Sequence, residues 1–186
     1  MYFDWTYLVF LTPALLFAFI ADWRVKASFR RYSGQYSRRG LTAAQAAQIV
    51  LRSNGLGNVA IHQVSGELTD HFDPKANVIR LSDSVYGSTS TAAIGVACHE
   101  AGHAVQYAVD YAPIKLRAAI IPATNIGSKL AMPLILIGLL LSFAGNYSYT
   151  LVYVGIAWFG LSLVFQLITL PVEYNASGRA LQILRE

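Results

Sequence analysis

His99 and His103 stand four residues apart, with Glu100 beside the first, in the run His99-Glu100-Ala101-Gly102-His103. Positions four apart on a helix differ by about 40° in direction, so both imidazoles point to one side and can share a metal ion. Histidine is a common nitrogen donor for zinc. Glu100 falls near the same cleft, where a carboxylate can take a proton from a metal-bound water. The chain has four histidines, and two of them are here. The competing explanation is a helix whose polar residues fell this way by chance, and the helical setting of the run argues against it.

Two histidines need a third protein ligand, and a catalytic zinc site leaves its fourth position to water. Ten acidic residues are available in the whole chain. Glu173, in Leu170-Pro171-Val172-Glu173-Tyr174-Asn175-Ala176-Ser177, is the leading candidate. It directly follows a long apolar run and lies on the same side of the membrane as the histidine pair. The alternative for Glu173 is an interfacial carboxylate capping a helix behind Pro171. Asp110 lies seven residues beyond His103, two turns away and too far to reach the same ion easily. Asp70 and Asp73 sit among turn-forming residues, and Asp83 resembles a helix cap. One zinc per chain is expected.

The elements that must position these groups follow from local pattern. Thr42-Ala43-Ala44-Gln45 is a capping-box signature opening a helix, with Ala46, Ile49 and Val50 on one face and Gly55 as its stop. Residues 59–64 read as a strand, 66–74 as a turn-rich stretch, and 77–81 as a second, half-buried strand. Ser88 or Ser90 caps the next helix, about 91–107, which carries the histidine pair. This is a small α+β unit of helix, short β-hairpin and helix.

The rest of the chain is apolar. Hydrophobic residues make up 55% and charged residues 13%, against about 25% charged in soluble domains. That scarcity excludes an ordinary soluble domain and also disorder. Residues 5–21 carry no charge, and neither do the 43 residues between Lys129 and Glu173. The first stretch is long enough for one membrane span and the second for two, roughly 118–144 and 149–172, breaking at Gly145-Asn146-Tyr147-Ser148. Lys129 falls inside the second span and must snorkel or face protein. Arg24, Lys26, Arg30, Arg31, Arg38 and Arg39 follow the first span. The positive-inside rule therefore places the N-terminus outside and residues 24–117 in the cytoplasm. A cleaved signal peptide would carry its basic residues before the apolar run, not after it. The basic cluster could also mark nucleic acid, but its juxtamembrane position already explains it, so no nucleic-acid partner is expected. One cysteine, Cys98, excludes an internal disulfide and suits a reducing compartment. The fold expected is thus a mainly α membrane protein. It has three transmembrane helices (1–23 and the hairpin 118–172), a cytoplasmic zincin-like domain at 24–117, and a C-terminal segment at 173–186.

With the histidine helix, two spans and then Glu173-Tyr174-Asn175-Ala176-Ser177, the chain resembles the YugP-like membrane zinc metallopeptidases. It is more distantly similar to HtpX and the CAAX prenyl proteases, gluzincins with a membrane hairpin between motif and glutamate. The segments Leu68-Thr69-Asp70-His71-Phe72-Asp73-Pro74 and Leu81-Ser82-Asp83-Ser84-Val85-Tyr86 also resemble that family, so the likeness covers nearly the whole chain. The resemblance implies zinc held by His99, His103 and Glu173, with Glu100 as general base and acid. It implies a bacterial cell-membrane protein whose strand at Asn77, Val78 and Ile79 lays a substrate peptide along the site by β-augmentation. Many gluzincins carry Asp four residues after the glutamate to orient a zinc histidine. Ser177 stands there, which leaves Asp70, Asp73 or a backbone carbonyl as other candidates for that role. Members of the family often continue into a further hydrophobic segment, so this chain is expected to be a short or truncated form.

Peptide hydrolysis also calls for a second electrophile, for which His71 and Arg179 rank ahead of Tyr86, Tyr107 and Tyr174. His71 could equally be a turn residue bonding its own loop. His62 reads as structural, and Cys98 as core filler pointing some 100° from the ligands. An intramembrane protease would hold its motif within a span and take Asp as the third ligand, whereas Ser88, Ser90, Gln106 and Asp110 bracket this motif. A zinc-keeping scaffold would close its site with a fourth protein ligand. A transporter would carry charges inside its spans. The expected substrates are therefore membrane proteins or their near-membrane segments. Small residues around Gly155 and Gly160 would permit close packing in an oligomer or against a recruiting membrane partner.

Overall fold

The computed structural model describes residues 6–67, 69–143 and 149–184, so the expected break at 145–148 and Trp5 lie outside the described residues. Six helices and three strands are placed there: α1 (Thr6–Ser33), α2 (Ala43–Ser53), β1 (Ala60–Val64), β2 (His71–Asp73), β3 (Val78–Ser82), α3 (Asp83–Tyr86), α4 (Thr91–Ala108), α5 (Ala112–Phe143) and α6 (Thr150–Leu184). The molecule is mainly helical, with the α+β unit held between α1 and the α5–α6 hairpin.

The capping signals act as local chemistry dictates. Thr42 Oγ1 accepts from the Gln45 N–H at 3.2 Å, while Gln45 Oε1 accepts from the Thr42 N–H at 2.9 Å. Ser90 caps α4, its hydroxyl accepting from the Ala93 N–H at 3.2 Å. The buried face of α2 is Ala43, Ala46, Ala47, Val50 and Leu51, and Ile49 points outward instead. That face packs on α4, where Ala93, Ala97, Cys98, Ala101 and Ala104 give a flat small-residue surface that lets the helices close together.

The sheet corrects the expected hairpin. Its order is β1-β3-β2, with β1 parallel and β2 antiparallel to β3. The antiparallel hairpin is formed by β2 and β3, and β3 inserts itself beside β1. The central strand is then buried on nearly every residue, not half-buried, as Val78, Ile79, Leu81 and Ser82 all are. A strand flanked on both sides reads as a continuous apolar run. The β-augmentation expected along this strand at Asn77, Val78 and Ile79 is excluded for the same reason. Backbone groups at 78–80 already pair with both β1 and β2. A peptide can add only to an outer strand.

Two helices, 112–142 and 150–184, are long and apolar enough to cross a membrane. Their most apolar windows are only 22% and 6% buried, whereas the core helix of a soluble protein would be largely covered. The two helices pack antiparallel through Gly155, where an added Cβ would lie 2.8 Å from the Ala131 carbonyl oxygen. Gly160 has open space around it and plays no part in that contact. Helix α6 runs without a break through Pro171, so Glu173 and Ser177 stand on the same helix as the third apolar stretch.

The C-terminal end of α1 is tied to the start of α4. Thr91 Oγ1 donates to the Tyr32 carbonyl at 3.0 Å, and the Thr91 N–H donates to the Gln35 carbonyl at 2.8 Å.

Candidate metal centre

Helices α4 and α6 cross at Gly102. A Cβ there would meet the Ala176 backbone, with the carbonyl carbon at 3.0 Å and Cα at 3.1 Å, so only glycine permits the approach. That crossing sets Glu173 over the histidine pair. His99 Nε2 lies 3.0 Å and His103 Nε2 3.4 Å from Glu173 Oε2. The donor atoms of all three residues lie within 4.8 Å of one another.

Each ring is held from behind. His99 Nδ1 contacts Ser177 Oγ at 3.0 Å, and His103 Nδ1 contacts Gln106 Oε1 at 3.0 Å. Gln106 is fully buried, and its amide nitrogen donates to the Val172 carbonyl at 2.8 Å and to Asn175 Oδ1 at 3.0 Å. Those two acceptors fix the amide so that Oε1 can only accept from His103. His103 therefore donates from Nδ1, which turns Nε2 toward Glu173 Oε2. Arg117 NH1 donates to Glu173 Oε1 at 2.9 Å and leaves Oε2 for the histidines.

The donor set fits a zinc ion. Two imidazole nitrogens and a carboxylate oxygen converge on one point, the donor types that zinc takes. Tetrahedral donors at about 2.0–2.1 Å from zinc would stand about 3.4 Å apart, and the two distances to Glu173 Oε2 lie at and just below that figure. Glu100 stands beside the cluster, its Oε2 accepting from the Phe72 N–H at 3.0 Å. Burial pushes its carboxyl above the ordinary value, against the opposing pull of His103, His99 and the Phe72 N–H. A cleft of about 440 Å³ opens in front, lined by these groups, by β2 residues and by Ile114, Ala118, Ile121 and Pro122 of α5.

The model of the family described as "Putative neutral zinc metallopeptidase" matches residues 7–186. The chain belongs to that zinc metallopeptidase family. It is 45% identical over 177 residues to "Putative membrane protease YugP" of Bacillus subtilis (strain 168), covering 95% of this chain and 76% of that protein. No solved structure matches.

Within this member of the family, the structure brings some of the expected residues together and separates others. His99, His103, Glu173, Glu100 and Ser177 converge. Asp70 does not orient a histidine, because Ser82 takes both its oxygens, from N–H at 2.8 Å and from Oγ at 3.1 Å. Asp73 pairs with Arg80 at 2.7 Å, and that guanidinium beside it lowers its pKa to about 2. His71 lines the cleft, its Nδ1 donating to the Thr69 carbonyl at 2.7 Å. Arg179 turns away to donate to Asn175 Oδ1 at 2.8 Å and is absent from the cleft lining. Tyr107 lines the cleft against Phe72, with ring centroids 5.7 Å apart. Tyr174 is 77% exposed, and Tyr86 packs against the core. Asp110 forms an exposed pair with Lys115. Arg117, Gln106 and Asn175 were not expected. The expected break at 145–148 sets 117 within a turn of 173 on antiparallel helices, the one sequence signal that pointed toward Arg117.

Proposed function

We propose that this protein is a membrane-embedded zinc endopeptidase of gluzincin type. It hydrolyses peptide bonds of membrane proteins or their juxtamembrane segments at the cytoplasmic face of a bacterial cell membrane. The observation that carries this reading is the convergence of His99 Nε2, His103 Nε2 and Glu173 Oε2 beside the half-buried Glu100 carboxylate in an open cleft. One zinc per chain would be held by those three residues. When bound, zinc supplies Lewis-acid polarisation of a water and of the scissile carbonyl.

The chain's own groups do the rest. Glu100 takes the proton of the attacking water and returns it to the leaving amine, and its raised pKa suits a group that must both accept and give. The Phe72 N–H holds Glu100 in place. Ser177, Gln106 and Arg117 keep the three ligands aimed. The Phe72 N–H points away from β3 toward Glu100, so its carbonyl on the same edge is free for an extended peptide laid along β2. His71 and Tyr107 are the cleft residues nearest in kind to a second electrophile. The donor cluster among the described residues has three members, which favours catalysis over a closed structural site.

Three spans, residues 1–23 with the N-terminal part of α1 and the hairpin 118–172, would flank the cytoplasmic domain 24–117 and the C-terminal segment 173–186. The apolar side chains Leu11, Leu15, Phe17 and Phe19 of α1 are exposed and call for a lipid environment. The basic residues at 24–39, in the last turns of α1 and just beyond it, support a cytoplasmic site by the positive-inside rule. Ser148→Cys should then react with an impermeant thiol reagent from outside only.

The central test uses wild type and Glu100→Gln purified in detergent. Both should hold equal zinc, and only the wild type should cleave an unstructured membrane-tethered substrate. Equal cleavage by both would remove Glu100 from the mechanism, and full zinc retention by Glu173→Ala would move the third ligand elsewhere.

A further inference from the structure

The polar residues of the membrane hairpin form a line that leads out of the cleft. On α5, Ala118 and Pro122 line the cleft, and Asn125 and Lys129 follow at helical spacing within about 40° of the same direction. On α6, Thr169, Gln166 and Ser162 fall within about 40° of the direction of Glu173. Ser128 and Ser162 hydroxyls meet at 2.8 Å and fix the two helices at this level. The side chains of Asn125, Lys129 and Gln166 are exposed, and among the described residues none of the three has a hydrogen-bond or ion-pair partner.

Depth makes this arrangement informative. Lys129 lies eleven residues above Ala118, about 16 Å along the helix, and a hydrocarbon core is about 30 Å thick. It is further still from the other end of α5. Its four-carbon stem cannot bring the ammonium to either interface. A lipid-facing charge at mid-depth is costly and marks a binding surface. A second copy of this chain cannot answer it, because residues 5–21 and 130–172 contain no Asp or Glu. A phospholipid headgroup stays at the interface. The complementary group must be a carboxylate carried into the membrane on another helix.

We propose that this face is the docking surface for the transmembrane segment of the substrate, and that Lys129 selects spans bearing a carboxylate near mid-depth. The proposal rests on the hydrolase reading for its use of the word substrate. A span lying against Asn125, Lys129 and Gln166 would deliver its juxtamembrane residues to the cleft at Ala118 and Pro122. The selectivity is then set outside the cleft, by the anchor and not by the residues flanking the scissile bond.

Binding and hydrolysis are tested separately. Glu100→Gln chains and labelled single-span peptides are placed in phosphatidylcholine vesicles, and association is read by energy transfer. A span with Glu at its centre should associate about 5–30-fold more tightly than its Gln counterpart. Lys129→Met should abolish the difference while keeping zinc content, helix content and cleavage of a soluble unstructured peptide at wild-type levels. Lys129→Glu should instead prefer a span with a central Lys. Equal association of the Glu and Gln spans with the unmodified face overturns the proposal. A binding preference without faster cleavage of the Glu-bearing protein by wild type overturns the substrate assignment and makes the occupant a resident partner. Failure to cleave any substrate sinks the hydrolase reading alone, since the association measurement does not depend on it.

Discussion

Gly102→Ala is the smallest change that tests whether the α4–α6 crossing sets the metal centre. The added methyl would lie 3.0 Å from the Ala176 carbonyl carbon, where ordinary contact begins at 3.4 Å, and closer still to the oxygen. Backbone cannot swing aside as a side chain can, so α6 must retreat by at least 0.4 Å. Metal–ligand distances tolerate about 0.2 Å. Glu173 is three residues from Ala176 on the same helix, and Ser177 is its neighbour, so both ligand and ring support move. A zinc affinity lower by about 10–100-fold is expected, the size of loss seen when a ligand's support is removed. Stability should change much less. Overpacking costs about 1–3 kcal/mol, and alanine in place of a helical glycine returns about 0.5–1 kcal/mol, leaving a net loss of about 1 kcal/mol. The control is Gly95→Ala on the same helix, where an added Cβ meets nothing within 4 Å. It should bind zinc as wild type does and gain about 0.5–1 kcal/mol. Zinc competition with a chromophoric chelator and thermal unfolding of the metal-free chains in detergent give both numbers. Wild-type zinc affinity in Gly102→Ala would refute the reasoning.

Gln106→Leu removes the acceptor for His103 Nδ1 and leaves that buried N–H unpaired, so zinc affinity should fall about 10–100-fold and metal-free stability by about 1–3 kcal/mol; calorimetry and zinc titration check both. Arg117→Met frees Glu173 Oε1 to rotate, and about tenfold weaker zinc binding is expected with the fold intact by circular dichroism. Burial pushes the Cys98 thiol up to about 12, so maleimide should leave it unmodified at pH 8 in the folded chain and label it fully after denaturation. The same shift has a sign in stability. The folded state keeps this proton between about pH 9 and 12 while the unfolded state releases it, so the stabilisation is complete below pH 9 and declines as pH rises through that window. Alkaline unfolding of Cys98→Ala should lack that component.

What was legible in the sequence was local. The histidine pair depends on a four-residue period, and the caps at Thr42 and Ser90 depend on three-residue spacings, so each carries its partner within sight. Gln106 and Arg117 were harder to see because their partners on α6 lie 66 and 56 residues away. A buried glutamine three residues after a ligand histidine and an arginine at the foot of a span look like ordinary solvated or interfacial residues until α6 is laid across α4. Strand β2 was hidden for a different reason. Its three residues begin with His71 and end at Asp73 before Pro74, which is turn chemistry by composition. It becomes a strand only because β3, buried on both faces, accepts a second neighbour. The misreading of that segment and the misplacement of the peptide-binding strand are therefore one error. Once β2 occupies the outer edge, the only sheet backbone facing the cleft is the one whose Phe72 N–H already holds Glu100. On the proposed mechanism, a strand added there would meet the carboxylate and the donor cluster together, so the three least strand-like residues of the sheet would couple peptide position to proton transfer.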